Sequence, residues 1–180
     1  MIDVTRTADL VAPDLLGCVV TLHGVSVRLT EVEAYLGAED EAAHTYRGLT
    51  PRNATMFGPP GRLYVYLSYG IHLAGNIVCA PEGVGQGCLM RAGEVVDGLD
   101  TAYRRRGDVP FERLASVPGN LGRTLGLSLE DNGIEVTLEP PAEPVEWVAG
   151  PRIGISRNVD APLRFWIPGD RTVSRRRGRP

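Results

Sequence analysis

The apolar residues in the first half of this chain recur in short runs rich in valine, leucine and tyrosine, separated by turns that contain glycine. Two pairs of runs, 18–22 with 25–36 and 63–69 with 73–80, predict antiparallel hairpins, and residues 86–91 predict a further strand. A sheet of consecutive antiparallel strands is therefore the main constraint on the fold.

Helical periodicity is confined to three short stretches, 7–16, 95–103 and 119–125, and four late strands are predicted at 134–138, 146–148, 152–155 and 163–167. Strands in runs with few helices indicate the α+β class rather than alternating α/β. We expect a single domain over 1–174, built on a mostly antiparallel curved β-sheet with a few short helices and a protruding β-hairpin. The arginine-rich end, 175–180, is expected to be a flexible basic tail.

The composition limits the class of protein. The chain has 180 residues, 43% hydrophobic and 23% charged, which is enough for one compact core. Cys18, Cys79 and Cys88 lack paired spacing and predict neither a disulfide framework nor a zinc site. No run approaches the roughly 18 apolar residues of a membrane span, and no signal segment is recognisable. We expect a cytoplasmic monomer of bacterial type without membrane partner, cofactor or metal.

The charge distribution bears on nucleic-acid binding. A formal net charge of −3 argues against a general nucleic-acid coat, because phosphate binding normally needs a basic surface. The charges are segregated, however, since acidic residues gather at 31–41 and 130–146 and arginines at 104–106 and 171–179. An acidic total can therefore coexist with a basic face.

Two carboxylates share one face of the second predicted strand. Alternation along residues 26–36 puts Glu31, Glu33 and Tyr35 on the face that begins with apolar residues. One interpretation is that the strand leaves the core and both acids are solvated, since unpaired acids are almost never buried. The other is that a carboxylate is held in a semi-buried pocket as a general base.

Three tyrosines lie in the second hairpin. Tyr64 and Tyr66 share one strand face, whereas Tyr69 falls out of phase, just before Gly70, where the chain turns. Packing beside the core accounts for Tyr64. For Tyr69 a second interpretation stands beside it, because proteins push bulky side chains at such exposed tips between base pairs.

Residues 37–60 contain much glycine and proline and predict a long loop, which in a compact domain is usually functional. His44 in this loop has no second ligand at metal-binding spacing and by itself indicates a surface residue. Asn53 is by default a turn residue, and Arg91 is by default a surface ion-pair partner of Glu94. Triad, P-loop and dinucleotide motifs are absent from the sequence.

Ten segments together resemble the alkyladenine (3-methyladenine) DNA glycosylase family in order and spacing. They are EVEAYLG (31–37), EDEAAH (39–44), TPRN (50–53), MF (56–57), LYVY (63–66), YG (69–70), Asn76, LMRA (89–92), RIGI (152–155) and LRF (163–165). The resemblance runs over nearly the whole chain. It implies one DNA glycosylase domain over 1–174.

The resemblance also implies roles for individual residues. Glu33 would position and deprotonate the attacking water, with Arg91 and the main-chain carbonyl of Ile153 as helpers. Tyr35, His44 and Tyr66 would sandwich the flipped base, Asn76 would screen purines by their 2-amino group, Tyr69 would fill the hole left in the duplex, and Arg52 and Arg106 would contact the DNA backbone. The expected partner is double-stranded DNA with damaged purines, which would place the protein at the nucleoid.

The chemistry agrees with these implied roles. A base must leave the stack before it can be attacked, at a cost of a few kcal/mol. Electron-rich tyrosine faces attract a cationic alkylated purine by roughly 0.5 to 2 kcal/mol. All 19 basic residues other than histidine are arginine, so no lysine can form a Schiff base with the sugar. The expected product is an abasic site in an uncut strand.

The sequence departs from the family pattern at several positions, namely Ile71, His72, Gly75, Val95, Asn120, Gly122 and Arg123. These departures bear on base preference and on DNA affinity. A non-catalytic binder of damaged DNA remains the alternative function, although such a protein would have no need for Glu33 and Arg91.

Overall fold

The computed structural model describes residues 2–174. Within this range the helices are α1 (Ala8–Leu15), α2 (Leu99–Arg106) and α3 (Pro118–Leu125). The strands are β1 (Val19–Leu22), β2 (Val25–Tyr35), β3 (Leu63–Ser68), β4 (His72–Cys79), β5 (Gln86–Asp97), β6 (Ala115–Ser116), β7 (Leu138–Glu139), β8 (Val148–Gly150) and β9 (Arg164–Trp166). Short 3-10 turns cover Gly37–Glu39, Ala54–Phe57, Phe111–Arg113 and Leu129–Asp131.

The strands form one open sheet in which every pair is antiparallel. Its main order is β3-β4-β5-β2-β1-β7, with β6 on β5 and with β9 between β2 and β8. The first half of β2 borders β1 and its second half borders β9. On its other edge β2 pairs along its length with β5, so these two long strands lie at the centre of the sheet. The predicted α+β class and antiparallel sheet are confirmed.

Helix α3 packs against β4 and β5 at unusually short range. A Cβ atom on Gly122 would lie 2.0 Å from the carbonyl oxygen of Leu73, and one on Gly75 would lie 2.9 Å from the side chain of Met90. Position 122 therefore requires glycine, because the Leu73 carbonyl belongs to the main chain, whereas at position 75 the ends of flexible side chains would have to shift. The apolar core beneath includes Leu121, Leu125 and Ile77.

The predicted helix, which starts at Val95 and ends in the three arginines before Gly107, is right at its end and wrong at its start. Residues up to Asp97 continue β5, because Val95 pairs with Val27 in the ladder. Gly98, at φ 75°, then turns the chain into α2, and a Cβ there would lie 2.1 Å from the carbonyl oxygen of Gly24. Long-range pairing thus overrides the local period.

The late strands are shorter than predicted. Residues 152–155 form no strand, because the Arg152 side chain turns inward and Gly154 adopts a φ of 77°. Of 134–138 only the last residue belongs to a strand, β7, and Glu135 makes an isolated bridge to Arg62. The strand predicted at 146–148 is shifted toward the C-terminus, because the observed strand β8 begins only at Val148.

The hairpin of β3 and β4 carries exposed apolar side chains at its tip. Tyr69 is 84% exposed and Ile71 74% exposed, and Tyr69 adopts a φ of 50°. Across residues 2–174 no helix combines the length and apolarity needed to cross a membrane. The predicted tail, 175–180, lies outside the described residues.

Candidate active site

A cleft of about 770 Å³ opens beside the β3–β4 hairpin. Its walls come from six places in the chain: the end of β2, the loop 41–56, the β3–β4 hairpin, β5, the start of α3 and the segment 153–157. Tyr35, His44, Arg52, Tyr66, Tyr69, Asn76, Arg91 and Ile153 all line it. The structure thus brings together eight of the ten predicted site residues.

Glu33 lies directly behind the wall of this cleft. Its side chain has no exposed surface, and its three contacts are all with residues that line the cleft. The main-chain N–H of Ile153 donates to Oε1 at 2.7 Å, and the hydroxyl of Tyr35 donates to Oε2 at 2.9 Å. Arg91 Nη1 lies 3.4 Å from Oε1. The alternative in which both acids become solvated is wrong, because Glu31 is also fully buried.

A register shift between β2 and β5 creates this arrangement. Glu31 pairs with Ala92 and Val32 pairs with Met90, so Arg91 has no partner residue on β2. Such bulges re-aim side chains beside active sites. As a result the Arg91 side chain reaches both carboxylates, with Nε 3.1 Å from Glu31 Oε1.

The structure brings the N–H of Ile153, rather than its carbonyl, to the Glu33 carboxylate. Arg152 fixes this segment, since its side chain is fully buried in a bidentate pair with Asp40 at 2.6 and 2.8 Å. Arg152 also donates to the carbonyl of Ala34 and lies 4.6 Å from the ring centroid of Tyr35. The water-binding role of the carbonyl stays a prediction.

Aromatic rings form one side of the cleft. Tyr66 stacks on Tyr64 with centroids 5.7 Å apart, and the edge of His44 meets Tyr66 at 4.6 Å. Burial and the neighbouring Tyr64 raise the pKa of Tyr66 to about 12. Burial, with a contribution from Arg52, lowers the pKa of His44 below 6.5, so both rings are neutral at pH 7.

Tyr35 differs from Tyr64, Tyr66 and His44, because its side chain hydrogen-bonds a carboxylate. Burial first, and then the Glu33 carboxylate that it hydrogen-bonds, raise the pKa of its hydroxyl well above 10. The phenol therefore stays protonated and remains a donor to Glu33. Arg152 beside its ring is a second polar anchor.

The remaining predicted residues divide into two groups. Asn76 is buried on β4 and donates to the carbonyl of Tyr64 at 3.3 Å, while Tyr69 and Arg52 are exposed at the rim. Arg106 does not line the cleft. Its Nε donates at 2.8 Å to the carbonyl of Leu114, and burial and Arg123 lower its pKa.

Sequence reasoning did not assign a role to several buried polar residues beside the site. They are Asp40, Tyr64, Arg152, Arg164 and Ser174, and Glu31 was recognised only as sharing a face with Glu33. Their contacts join segments far apart in the chain, so no local spacing could have indicated them. Within residues 2–174 no group of three or more His, Cys, Asp or Glu side chains is placed to hold a metal ion.

Comparisons with known proteins assign the chain to an enzyme class and to a family within it. The family model described as methylpurine-DNA glycosylase matches residues 2–171, which makes this protein a DNA glycosylase. A protein of Corynebacterium efficiens is 68% identical over 184 residues, covering 99% of this chain and 97% of the relative, and is named "Putative 3-methyladenine DNA glycosylase". The chain belongs to the methylpurine-DNA glycosylase family.

Two further relatives carry the same name. A protein of Corynebacterium glutamicum is 61% identical over 185 residues, covering 99% of this chain and 98% of the relative. A protein of Mycobacterium leprae is 46% identical over 178 residues, covering 92% of this chain and 83% of the relative. The family resemblance seen in the sequence is confirmed, and with it the class of DNA repair enzyme.

Proposed function

We propose that the protein excises alkylated or deaminated purines from duplex DNA by hydrolysing the N-glycosidic bond with water activated by Glu33. The proposed substrates are 3-methyladenine, 7-methylguanine and hypoxanthine. The observation that carries this proposal is the Glu33 carboxylate, which three donors fix directly behind an aromatic cleft. A carboxylate so placed can act as a general base, which typically accelerates a reaction by about 10² to 10⁴-fold.

The hydrogen bonds of Glu33 leave room for one more partner. A carboxylate offers about four lone-pair directions. Ile153 occupies one of Oε1, where Arg91 Nη1 also lies in ion-pair contact at 3.4 Å, and Tyr35 occupies one of Oε2. The remaining direction on Oε2 would accept a proton from the water. Because Glu33 is fully buried, we propose that the water reaches it when the cleft wall at Tyr35 or Ile153 moves on DNA binding.

In the reaction the water oxygen bonds to C1′ of the sugar and its proton goes to Glu33. The electron pair of the glycosidic bond leaves with the base, so a cationic methylpurine departs as a neutral molecule, whereas hypoxanthine, which is neutral in DNA, would leave as an anion that takes its proton from solvent water. Tyr35, His44 and Tyr66 would hold the flipped base, and tyrosine faces favour a cationic ring. Neutral His44 does not repel such a base.

The residues around the cleft suggest how DNA is held. Tyr69 at the hairpin tip would fill the hole that the flipped nucleotide leaves, and exposed Arg52 would contact a phosphate. Asn76 in the cleft wall would disfavour ordinary guanine by its 2-amino group, whereas for 7-methylguanine the attraction of the cationic ring to the tyrosine faces would offset that contact. The predicted phosphate contact of Arg106 would have to use Nη1, because Nε and Nη2 donate to main-chain carbonyls.

The test is release of free base from duplexes with a single hypoxanthine or 3-methyladenine, with lesion binding measured alongside. We expect the parent to leave an abasic, uncut strand, and Glu33→Gln to bind the same duplex while releasing base at least about 100-fold more slowly. Glu39→Gln, the same change at an exposed carboxylate outside the cleft, should match the parent. If neither parent nor Glu33→Gln releases base although both bind the lesion, the chain is a damage-binding module and the proposal is wrong.

A further inference from the structure

The segment that follows β9 folds back beneath the active site. Its last described residue, Ser174, is 5% exposed and caps the second buried carboxylate, Glu31. The Ser174 main-chain N–H donates to Glu31 Oε2 at 2.7 Å. The Ser174 hydroxyl lies 2.7 Å from both carboxylate oxygens and donates its one proton to one of them.

The same serine contacts Arg91. All three nitrogens of that guanidinium have an acceptor: Nε bonds Glu31, Nη1 faces Glu33, and Nη2 donates to Ser174 Oγ at 3.4 Å. Two of these three acceptors are Ser174 itself and the carboxylate that Ser174 holds. The orientation of Arg91 toward Glu33 therefore depends on Ser174.

The charges around Ser174 explain why its contacts with Glu31 and Arg91 affect Glu33. Glu31, Glu33, Arg91 and Arg164 form a buried group of two negative and two positive side chains. Arg164 Nε donates to Glu31 Oε1 at 2.6 Å and its Nη2 donates to the Ser174 carbonyl at 2.9 Å. Arg91 is thus shared between two carboxylates. A buried charge needs full pairing. Because Arg164 and Ser174 also donate to Glu31, that carboxylate depends less on Arg91, and the Arg91 guanidinium can interact more strongly with Glu33.

We propose that Ser174 is a positioning residue for the hydrolytic step, which acts through Glu31 to fix the Arg91 guanidinium that orients Glu33. This inference rests on the proposed function. It adds a residue from the end of the described chain to a site otherwise built from β2, β5 and the segment around Ile153. It predicts an effect on the chemical step and little effect on lesion binding, since Ser174 does not line the cleft.

The test compares single-turnover base release and lesion binding for Ser174→Ala and Ser174→Thr. Removing the hydroxyl should lower the single-turnover rate constant about tenfold or more with the Kd for lesion DNA unchanged, since small displacements of catalytic groups carry large rate costs. Threonine keeps the hydroxyl and should restore most of the rate. If Ser174→Ala does not fold, Ser174→Cys, which has a similar volume and a weaker donor, takes its place.

Thr172→Val is the matched control. Thr172 lies in the same segment and its buried hydroxyl bonds Thr30 at 2.7 Å, but it contacts neither Glu31 nor Arg91. We expect Thr172→Val to lower the Tm and to keep the parental rate constant. A parental rate constant in Ser174→Ala, or an equal slowing in Thr172→Val, would overturn the positioning role of Ser174 and leave the proposed function standing. A parent that releases no base would overturn the proposed function as well.

Discussion

His44 shows how the surroundings set the chemistry of a single site residue. Burial lowers its pKa below 6.5, and the guanidinium of Arg52 lowers it further. The protonated ring would therefore form only at a pH below that of an ordinary histidine. A neutral His44 at pH 7 leaves the cleft able to accept a cationic purine.

We predict that Arg52→Gln raises the pKa of His44 while leaving it below 6.5, because the burial contribution remains. An NMR titration of the His44 ring measures this directly, and the difference should shrink at high salt, which screens the Arg52 charge. Arg104→Gln removes an exposed arginine that does not contribute to the shift and should change nothing. A His44 pKa that does not respond to Arg52→Gln would contradict the electrostatic part of this account.

Individual site residues were predictable from the sequence to different degrees. Alternation put Glu33 and Tyr35 on one strand face, and the family resemblance pointed to Arg91. The groups that hold Glu33 and Arg91 in place were not predictable. Arg152, which pairs with Asp40, and Ser174 reach the cluster from distant parts of the chain, and only the folded sheet brings them there.

At the scale of elements, the sequence was accurate where strands pair locally and inaccurate where distant pairing decides. The hairpins β1–β2 and β3–β4 were predicted to within about two residues, because alternation and a glycine turn specify both strands. The end of β5 was not, since it depends on the pairing of Val95 with Val27, 68 residues earlier in the chain. Residues 152–155 read as a strand, but the buried Arg152–Asp40 pair holds them as coil.

The contact between α3 and β4 gives an element-scale prediction. Gly122→Ala should destabilise the protein by about 1–3 kcal/mol, because the new Cβ would lie 2.0 Å from the Leu73 carbonyl, a main-chain group that cannot swing aside. Helix propensity alone would give the opposite sign, about 1 kcal/mol in favour of alanine. Urea unfolding measures the difference. Arg123→Ala, at the exposed next position of the helix, should stay within about 0.5 kcal/mol of the parent, and an unchanged or raised stability of Gly122→Ala would refute the close approach.

At the scale of the whole molecule, the charge balance is unusual for a protein whose substrate is DNA. The net charge is −3, yet four of the 19 arginines stand in the last six residues, 175–180. Because phosphate contacts displace condensed counterions, each one adds roughly 0.9 to the slope of log K against log salt concentration. The tail can thus supply much of the non-specific affinity that the acidic remainder lacks.

We predict that replacing the four tail arginines by glutamine weakens binding to undamaged duplex DNA and reduces that salt slope by roughly 0.9 for each tail arginine that contacts a phosphate. Substitution is preferable to deletion, because a chain ending at Ser174 would place a new carboxylate beside Glu31. Equilibrium binding measured between 50 and 200 mM salt, about the range over which such contacts lose most of their affinity, gives the slope. The single-turnover rate on bound lesion DNA should stay at the parental value. An unchanged slope would show that the folded domain alone holds the DNA backbone. Arg52 at the rim of the cleft would then be the candidate phosphate contact.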